Sequence, residues 1–170
     1  MDVDGVLTDG RLYHFVDTSG ETVEFKGTNS KDGIALSWLP SMGIRTGVIS
    51  GRSSAGFAAR ARLLKMTYVV QDMPLKAPAV EEILRKAGVA PEAAAFVGDD
   101  LPDVPAMRRV GLAIAVADAS PETRAAADWV TRARGGRGAL REIIEVILKA
   151  QGRWPEILRR YEIDTARAIH

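Results

Sequence analysis

The chain has 170 residues, of which 46% are hydrophobic and 26% charged, so it is long enough for one domain with one substantial core. Its formal net charge of +1 gives no reason to expect a nucleic acid or a membrane surface as partner. It has no cysteine and only two histidines, so a bound metal would sit among oxygen ligands, as a hard cation such as Mg²⁺ prefers. No apolar run approaches the length of a membrane span and no charged-then-apolar leader opens the chain, so we expect a cytoplasmic protein.

The N-terminal part of the sequence predicts a hairpin followed by a helix. Residues 1–7 begin as if an apolar strand had just ended, so we expect that the natural polypeptide is longer or that the numbering restarts at Met1. Residues 11–26 alternate in polarity around a turn at 17–20, which predicts a β-hairpin. A helix is predicted from about Ser30, interrupted near Pro40 and closed by Gly43.

From residue 46 onward, short apolar runs alternate with helix-like stretches. The predicted strands are 46–49, 66–70, 94–97, 112–117 and 129–130, and the predicted helices are about 53–65, 77–87, 102–110, 121–127 and 138–150. Such alternation predicts an α/β fold, a Rossmann-like parallel sheet with helices on both faces and the hairpin protruding from it. We expect one domain over 1–152 and a C-terminal tail over 153–170 that is partly mobile.

Polar residues stand where the predicted strands end, the edge at which parallel sheets bind ligands. They are Asp2 and Asp4; Ser50, Gly51 and Arg52; Lys76; and Asp99, Asp100 and Asp103. This set supplies a nucleophile, an acid–base group, a hydroxyl, a cation and an acidic cluster. Those are the groups that phosphoryl transfer through a covalent aspartyl-phosphate requires.

The chemistry assigns a role to each group. A carboxylate that attacks a phosphate dianion meets repulsion on the order of 4 kcal/mol per charge pair at 4 Å with an effective dielectric of 20. A divalent ion held by Asp2, with Asp99 and Asp103 as further carboxylates, would remove that obstacle. Lys76 and Ser50 would bind phosphate oxygens, with Gly51 allowing close backbone approach. Asp4 would protonate the departing oxygen and then take a proton from water.

Each of these elements also has an ordinary structural explanation when taken alone. Asp-x-Asp and Gly-Asp-Asp often form turns, Ser-Gly is a common strand-to-helix junction, and Lys76 could be a solvated lysine at a helix start. The functional interpretation rests on their joint occurrence, since all of them follow apolar strands in one order.

The four elements resemble the motifs of the haloacid dehalogenase superfamily, and within it the 3-deoxy-D-manno-octulosonate 8-phosphate phosphatase family. The resemblance covers nearly the whole chain. Its segments are 2–10, 29–33, 98–107, 116–119 and 135–142, of which the last two are the most particular to that family.

The resemblance implies a Mg²⁺-dependent phosphatase of a sugar-acid phosphate that acts in lipopolysaccharide precursor synthesis. It implies a homotetramer, in which the hairpin replaces a cap domain and a neighbouring chain helps to close each active site. It further implies nucleophile Asp2, acid–base residue Asp4, phosphate binders at 50, 51 and 76, and substrate contacts from Lys31, Arg52 and Arg137. The implied metal ligands are Asp2, the Asp4 carbonyl and Asp99, with Asp100 and Asp103 around them.

Three alternatives stay open from the sequence. Relatives that act on nine-carbon sialic-acid-type phosphates tend to have lysine where the octulosonate enzymes have arginine, and this chain has Lys31. A receiver domain of a signalling protein also uses a phosphorylated aspartate, but its acidic pair precedes that residue and Asp4 would have no purpose there. A non-catalytic assembly partner is the third alternative, against which the intact motifs argue.

Overall fold

The computed structural model describes residues 1–164; positions 165–170 of the expected tail lie outside the described residues. Strands β1 (Tyr13–Val16) and β2 (Thr22–Phe25) form an antiparallel hairpin. The later strands are β3 (Gly47–Ile49), β4 (Tyr68–Val70), β5 (Ala95–Gly98), β6 (Leu112–Ala115) and β7 (Trp129–Val130). The helices are α1 (Ser30–Trp38), α2 (Ala55–Leu63), α3 (Lys76–Ala87), α4 (Val104–Met107), α5 (Pro121–Ala125), α6 (Ala139–Ala150) and α7 (Trp154–Arg160).

The parallel strands form two ladders that the first residues of the chain join. β3 pairs with β4, and β6 pairs with both β5 and β7, all in parallel. Between the ladders, Ile49 donates its backbone N–H to the Met1 carbonyl at 3.0 Å, and Asp2 donates to the Val97 carbonyl at 3.0 Å. Asp2 therefore lies between the carboxyl ends of β3 and β5.

Helices cover both faces of this sheet. One core cluster joins α1, α2, α6 and α7 to the sheet through residues such as Leu36, Leu140 and Ile157, which are all buried. The other cluster joins α3 and α4 to the opposite face through residues such as Val80, Phe96 and Met107. The predicted α/β class with a protruding hairpin is confirmed. None of the helices described is long and apolar enough to cross a bilayer.

Some predicted boundaries differ from the structure for identifiable reasons. The helix predicted over 102–110 is a 3₁₀ turn at Leu101–Asp103 followed by the four-residue α4, because Pro102 and Pro105 restrict the backbone there. The helix predicted from 53 starts at Ala55, since the Ser54 hydroxyl caps it by accepting the N–H of Phe57.

The C-terminal tail departs further from the prediction. Residues 154–160 form α7, and Ile157 is buried in the main core. The Trp154 ring packs edge-on against Trp38 with 5.7 Å between ring centroids. This part of the expected tail is therefore packed on the domain rather than projecting from it.

Candidate active site

Three buried side chains meet at the carboxyl edge of the sheet. Lys76, the first residue of α3, places its Nζ 2.7 Å from Asp2 Oδ1 and 2.6 Å from Asp103 Oδ1. The Lys76 side chain is 5% exposed and that of Asp103 is 1% exposed. The structure thus brings Asp2, the start of α3 and the loop after β5 together, as expected from the polar residues at the strand ends.

Asp99 completes an acidic cluster with Asp2 and Asp103. One carboxylate oxygen from each of the three lies within 4.8 Å of the others. Burial, followed by the charges of Asp2 and Asp103, raises the pKa of Asp99 to about 8. Burial and the Asp103 charge also raise the pKa of Asp2, although Lys76 acts in the opposite direction.

One lysine does not balance these three carboxylates. Burial lowers the pKa of Lys76, but the Asp2 and Asp103 charges outweigh that effect and raise it overall. The raised pKa of Lys76 favours its charged form, and the pKa of Asp99 is raised first by burial and then by the negative charges of Asp2 and Asp103. Converging carboxylate oxygens with excess negative charge fit a hard divalent cation such as Mg²⁺.

The loop after β5 decides which of its acidic residues turns inward. Asp103 accepts the backbone N–H groups of Asp99 at 2.9 Å and of Asp100 at 3.3 Å, as part of a capping box. Gly98 makes room for this, because a Cβ there would lie 2.4 Å from the Asp103 Cβ. Asp100, which was expected near the metal, is exposed and belongs to the cap rather than to the acidic cluster.

The turn after Asp2 packs closely on this cluster. Gly5 adopts φ +94°, and a Cβ at Gly5 would lie 2.0 Å from Asp99 Oδ2. A side chain at position 5 would therefore displace the Asp99 carboxylate. Ser50, directly after β3, is also buried, and its Oγ accepts the N–H of Arg52 at 3.1 Å. The hydroxyl proton of Ser50 remains free to be donated.

Asp4 lies in a separate charged group that sequence reasoning did not identify. Lys26 Nζ is 2.8 Å from Asp4 Oδ1 and 3.0 Å from Asp4 Oδ2. Glu24 Oε2 lies 2.6 Å from Arg52 Nη2, and Arg52 Nε is 3.9 Å from Asp4 Oδ2. The available signal was the hairpin alternation: where Val23 and Phe25 line one face of β2, Glu24 and Lys26 share the other.

Gly135–Gly138, the glycine loop, packs on the turn that carries Asp4. The Gly136 N–H donates to the Val6 carbonyl at 2.8 Å, and a Cβ at Gly135 would lie 1.6 Å from the Gly5 carbonyl oxygen. Arg137 pairs with Asp9 at 3.1 Å within the same chain. Only glycine permits such close backbone approach, so this loop supports the turn after Asp2.

Asp32, in the segment 29–33, binds the end of the glycine loop. The sequence analysis did not single out this residue. Asp32 is fully buried and accepts the backbone N–H groups of Gly138 at 3.1 Å and Arg141 at 2.8 Å. It thereby caps the start of α6. Burial raises the pKa of Asp32, while these backbone bonds act to lower it. Lys31 is exposed in the first turn of α1.

Comparison with known proteins agrees with this geometry. Residues 65–143 match the haloacid dehalogenase-like hydrolase family. The chain is 42% identical over 156 residues to the 3-deoxy-D-manno-octulosonate 8-phosphate phosphatase KdsC of Escherichia coli, covering 92% of this chain and 81% of that protein.

Solved structures of related phosphatases superpose on this chain. The 3-deoxy-D-manno-octulosonate 8-phosphate phosphatase of Moraxella catarrhalis, crystallised with magnesium, phosphate and KDO, superposes with a TM-score of 0.88 at 37% identity. That superposition covers 95% of this chain and 90% of the Moraxella chain. A probable yrbi family phosphatase from Pseudomonas syringae has a TM-score of 0.87 at 40% identity, covering 96% of this chain and 90% of its own.

Proposed function

Because this chain belongs to the haloacid dehalogenase-like hydrolases, in the 3-deoxy-D-manno-octulosonate 8-phosphate phosphatase family, we propose that it hydrolyses that sugar-acid phosphate with Mg²⁺. The observation that carries the proposal is the buried Lys76, which holds Asp2 and Asp103 at 2.7 and 2.6 Å beside Asp99. A nucleophile, a phosphate-binding cation and a divalent-ion site are then within a few ångströms of one another.

In the proposed reaction, an Asp2 carboxylate oxygen attacks the phosphorus while the ester P–O bond breaks. Asp4 gives its proton to the departing sugar oxygen, and then accepts a proton from the water that attacks the aspartyl phosphate. Phosphate leaves and the Asp2 carboxylate is restored. Mg²⁺, which Asp2, Asp99 and the Asp4 carbonyl would hold, supplies the positive charge that offsets repulsion between carboxylate and phosphate.

The remaining site residues bind and orient the ester. We assign phosphate oxygens to the Lys76 ammonium, the Ser50 hydroxyl and the Gly51 backbone, which follow one another around the sheet edge. Arg52 is half-exposed beside Asp4, where it can contact the sugar acid. Lys31 and Arg137 are exposed and are proposed to contact substrate from the side that a neighbouring subunit would close.

The oligomer is a further part of the proposal. The hairpin exposes aromatic side chains of Tyr13, Phe15 and Phe25 by 42%, 50% and 52%. Tyr13 and Phe25 stack with 5.0 Å between ring centroids, so these rings form one contiguous apolar surface. Such a surface favours contact with other copies of the chain, and we propose a homotetramer assembled through the hairpins.

A second candidate substrate is a nine-carbon sialic-acid-type 9-phosphate, which Lys31 favours over the octulosonate ester. The experiment is a phosphate-release screen with Mg²⁺ over both sugar-acid esters and simple hexose phosphates. Equal rates on the octulosonate ester and on hexose phosphates would reject our substrate choice. Asp2→Asn should abolish turnover, whereas Asp72→Asn, an exposed turn residue, should leave it unchanged.

A further inference from the structure

Lys26 follows the last residue of β2 and carries a buried positive charge. Its side chain is 6% exposed, and its Nζ lies 2.8 Å from Asp4 Oδ1 and 3.0 Å from Asp4 Oδ2. An ammonium is costly to bury unless carboxylates compensate it. The principal compensating group here is the carboxylate of Asp4.

Glu24 completes the arrangement from the same face of β2. Glu24 Oε1 lies 3.4 Å from Lys26 Nζ, and Glu24 Oε2 lies 2.6 Å from Arg52 Nη2. Two carboxylates and two cations thus link the turn after Asp2, the hairpin and the end of β3. Because Glu24 draws Arg52 toward itself, Lys26 is the nearest cation to both oxygens of Asp4, as Arg52 Nε stays 3.9 Å away.

We propose that Lys26 is a positioning residue for the phosphatase reaction, which holds the Asp4 carboxyl group in the orientation needed to reach the departing oxygen. The inference rests on the proposed role of Asp4 as acid–base residue. The Asp4 side chain is 20% exposed, and a carboxyl group free to rotate there would spend much of its time in unproductive orientations. Lys26 restricts that rotation from the hairpin side. The hairpin would therefore help to position Asp4 in the active site of its own subunit.

The proton balance of the reaction supplies a test. Because Asp4 pairs with Lys26 as a carboxylate in the free protein, the proton that it donates is taken from solvent when the substrate binds, and Glu24 then remains beside the Lys26 ammonium. As the Asp2–phosphorus bond forms and the ester P–O bond breaks, Asp4 transfers that proton to the departing sugar oxygen, and Lys26 keeps its own protons. Dinitrophenyl phosphate leaves as a stable phenolate that needs no such proton. In this first step, a defect that arises through Asp4 should therefore slow the sugar ester far more than the aryl ester, whereas general damage to the site should slow both. The later hydrolysis of the aspartyl phosphate uses Asp4 as base with either ester, so the first step is measured alone, in single-turnover reactions.

The experiment compares Lys26→Met and Lys26→Arg with the unaltered protein on 3-deoxy-D-manno-octulosonate 8-phosphate and on dinitrophenyl phosphate. In single-turnover reactions we expect Lys26→Met to slow release of the sugar roughly 10²-fold with substrate affinity nearly unchanged, and to alter release of dinitrophenolate little. Lys26→Arg, which preserves a cation beside Asp4, should recover most of the loss. The matched control is Lys86→Met, which changes an exposed lysine at the end of α3 and should leave the rates on both esters unchanged.

A double-mutant cycle separates action through Asp4 from an independent effect. If Lys26 works through Asp4, Lys26→Met should cost no further rate in an Asp4→Asn background. Equal losses of the first-step rate on the two esters, additive losses in the cycle, or no loss at all would overturn the inference. If Lys26→Met does not fold, Glu24→Gln/Lys26→Met removes one charge of each sign and is subjected to the same comparison.

Different experimental outcomes would reject the proposed function and the positioning role of Lys26. Absence of Mg²⁺-dependent turnover by the unaltered protein, or survival of turnover in Asp2→Asn, would reject the function itself. Normal turnover that is lost in Asp2→Asn, together with an unchanged ratio of rates in Lys26→Met, would reject only the role of Lys26.

Discussion

Replacing Lys76 by methionine removes the only cation within hydrogen-bonding distance of two buried carboxylates in the described structure. Methionine occupies similar volume but leaves Asp2, 2.7 Å from the ammonium, and Asp103, 2.6 Å from it, without their partner. Removing one partner of a buried ion pair costs about 3–5 kcal/mol of folding free energy. We therefore expect the metal-free variant to lose about 3 kcal/mol or more near pH 7.

The loss should depend on pH in a defined direction. Without Lys76 the clustered carboxyls would bind protons more readily, and a protonated carboxyl needs no cation. The difference between the unaltered protein and Lys76→Met should therefore shrink at about pH 5 and grow at about pH 8.5. Saturating Mg²⁺ should also narrow the difference, because the ion supplies positive charge to the same carboxylates.

Urea denaturation followed by circular dichroism, with a chelator and with Mg²⁺ at the three pH values, measures these quantities. The control is Lys86→Met in the same helix, whose exposed pair with Glu82 at 3.2 Å should be worth less than about 1 kcal/mol. A loss below about 1 kcal/mol in metal-free Lys76→Met, or one that is the same at every pH, would refute the reasoning.

Three further predictions follow from the same structure. Because the pKa of Asp99 is raised to about 8, the folded metal-free protein binds more protons than the unfolded chain between about pH 4 and 8. Its melting temperature should therefore fall as pH rises toward about 8, and Mg²⁺ should raise the melting temperature more at the higher pH. An undiminished pH slope in Asp99→Asn would contradict the assignment to Asp99, since Asp2 and Asp32 account for only part of the slope. Gly135→Ala, whose Cβ would lie 1.6 Å from the Gly5 carbonyl oxygen, should cost at least about 3 kcal/mol in urea denaturation. Gly56→Ala, with its nearest contact at 3.9 Å, should instead stabilise by roughly 0.5–1 kcal/mol, and similar effects of the two changes would exclude the close approach as the cause. If the proposed tetramer assembles through the hairpins, Phe25→Ser should lower the molar mass measured by light scattering, because each copy would lose about 1.5–3 kcal/mol of apolar burial. An unchanged molar mass would contradict assembly through this surface.

The sequence was sufficient to predict the fold class and the edge of the sheet that carries the polar residues. Strand ends in a parallel sheet converge on one edge, so Asp2, Ser50, Lys76 and Asp99 could be expected near one another from their places after apolar runs. The structure brings these segments together at that edge. The catalytic and binding roles assigned to them remain predictions that the experiments above address.

The features that escaped sequence reasoning depend on orientation and on distant contacts. Nothing in Gly-Asp-Asp-Leu-Pro-Asp indicates that Asp103 turns inward while Asp100 faces solvent, since a single 3₁₀ turn decides between them. Lys26 reaches Asp4 only because the hairpin folds back over the turn after Asp2. Charged residues in a hairpin are usually solvated, so their type and spacing alone did not distinguish this lysine.

The Asp32 cap joins parts of the chain that are 106 and 109 positions apart in sequence. Asp4 precedes Gly135 and Gly136 in the chain, yet the turn that carries it packs against both of them. Contacts of such long range form late and make folding slow. We therefore expect a chain emerging from the ribosome to remain inert toward phosphate esters until the glycine loop and α6 have been translated and have docked on the earlier segments.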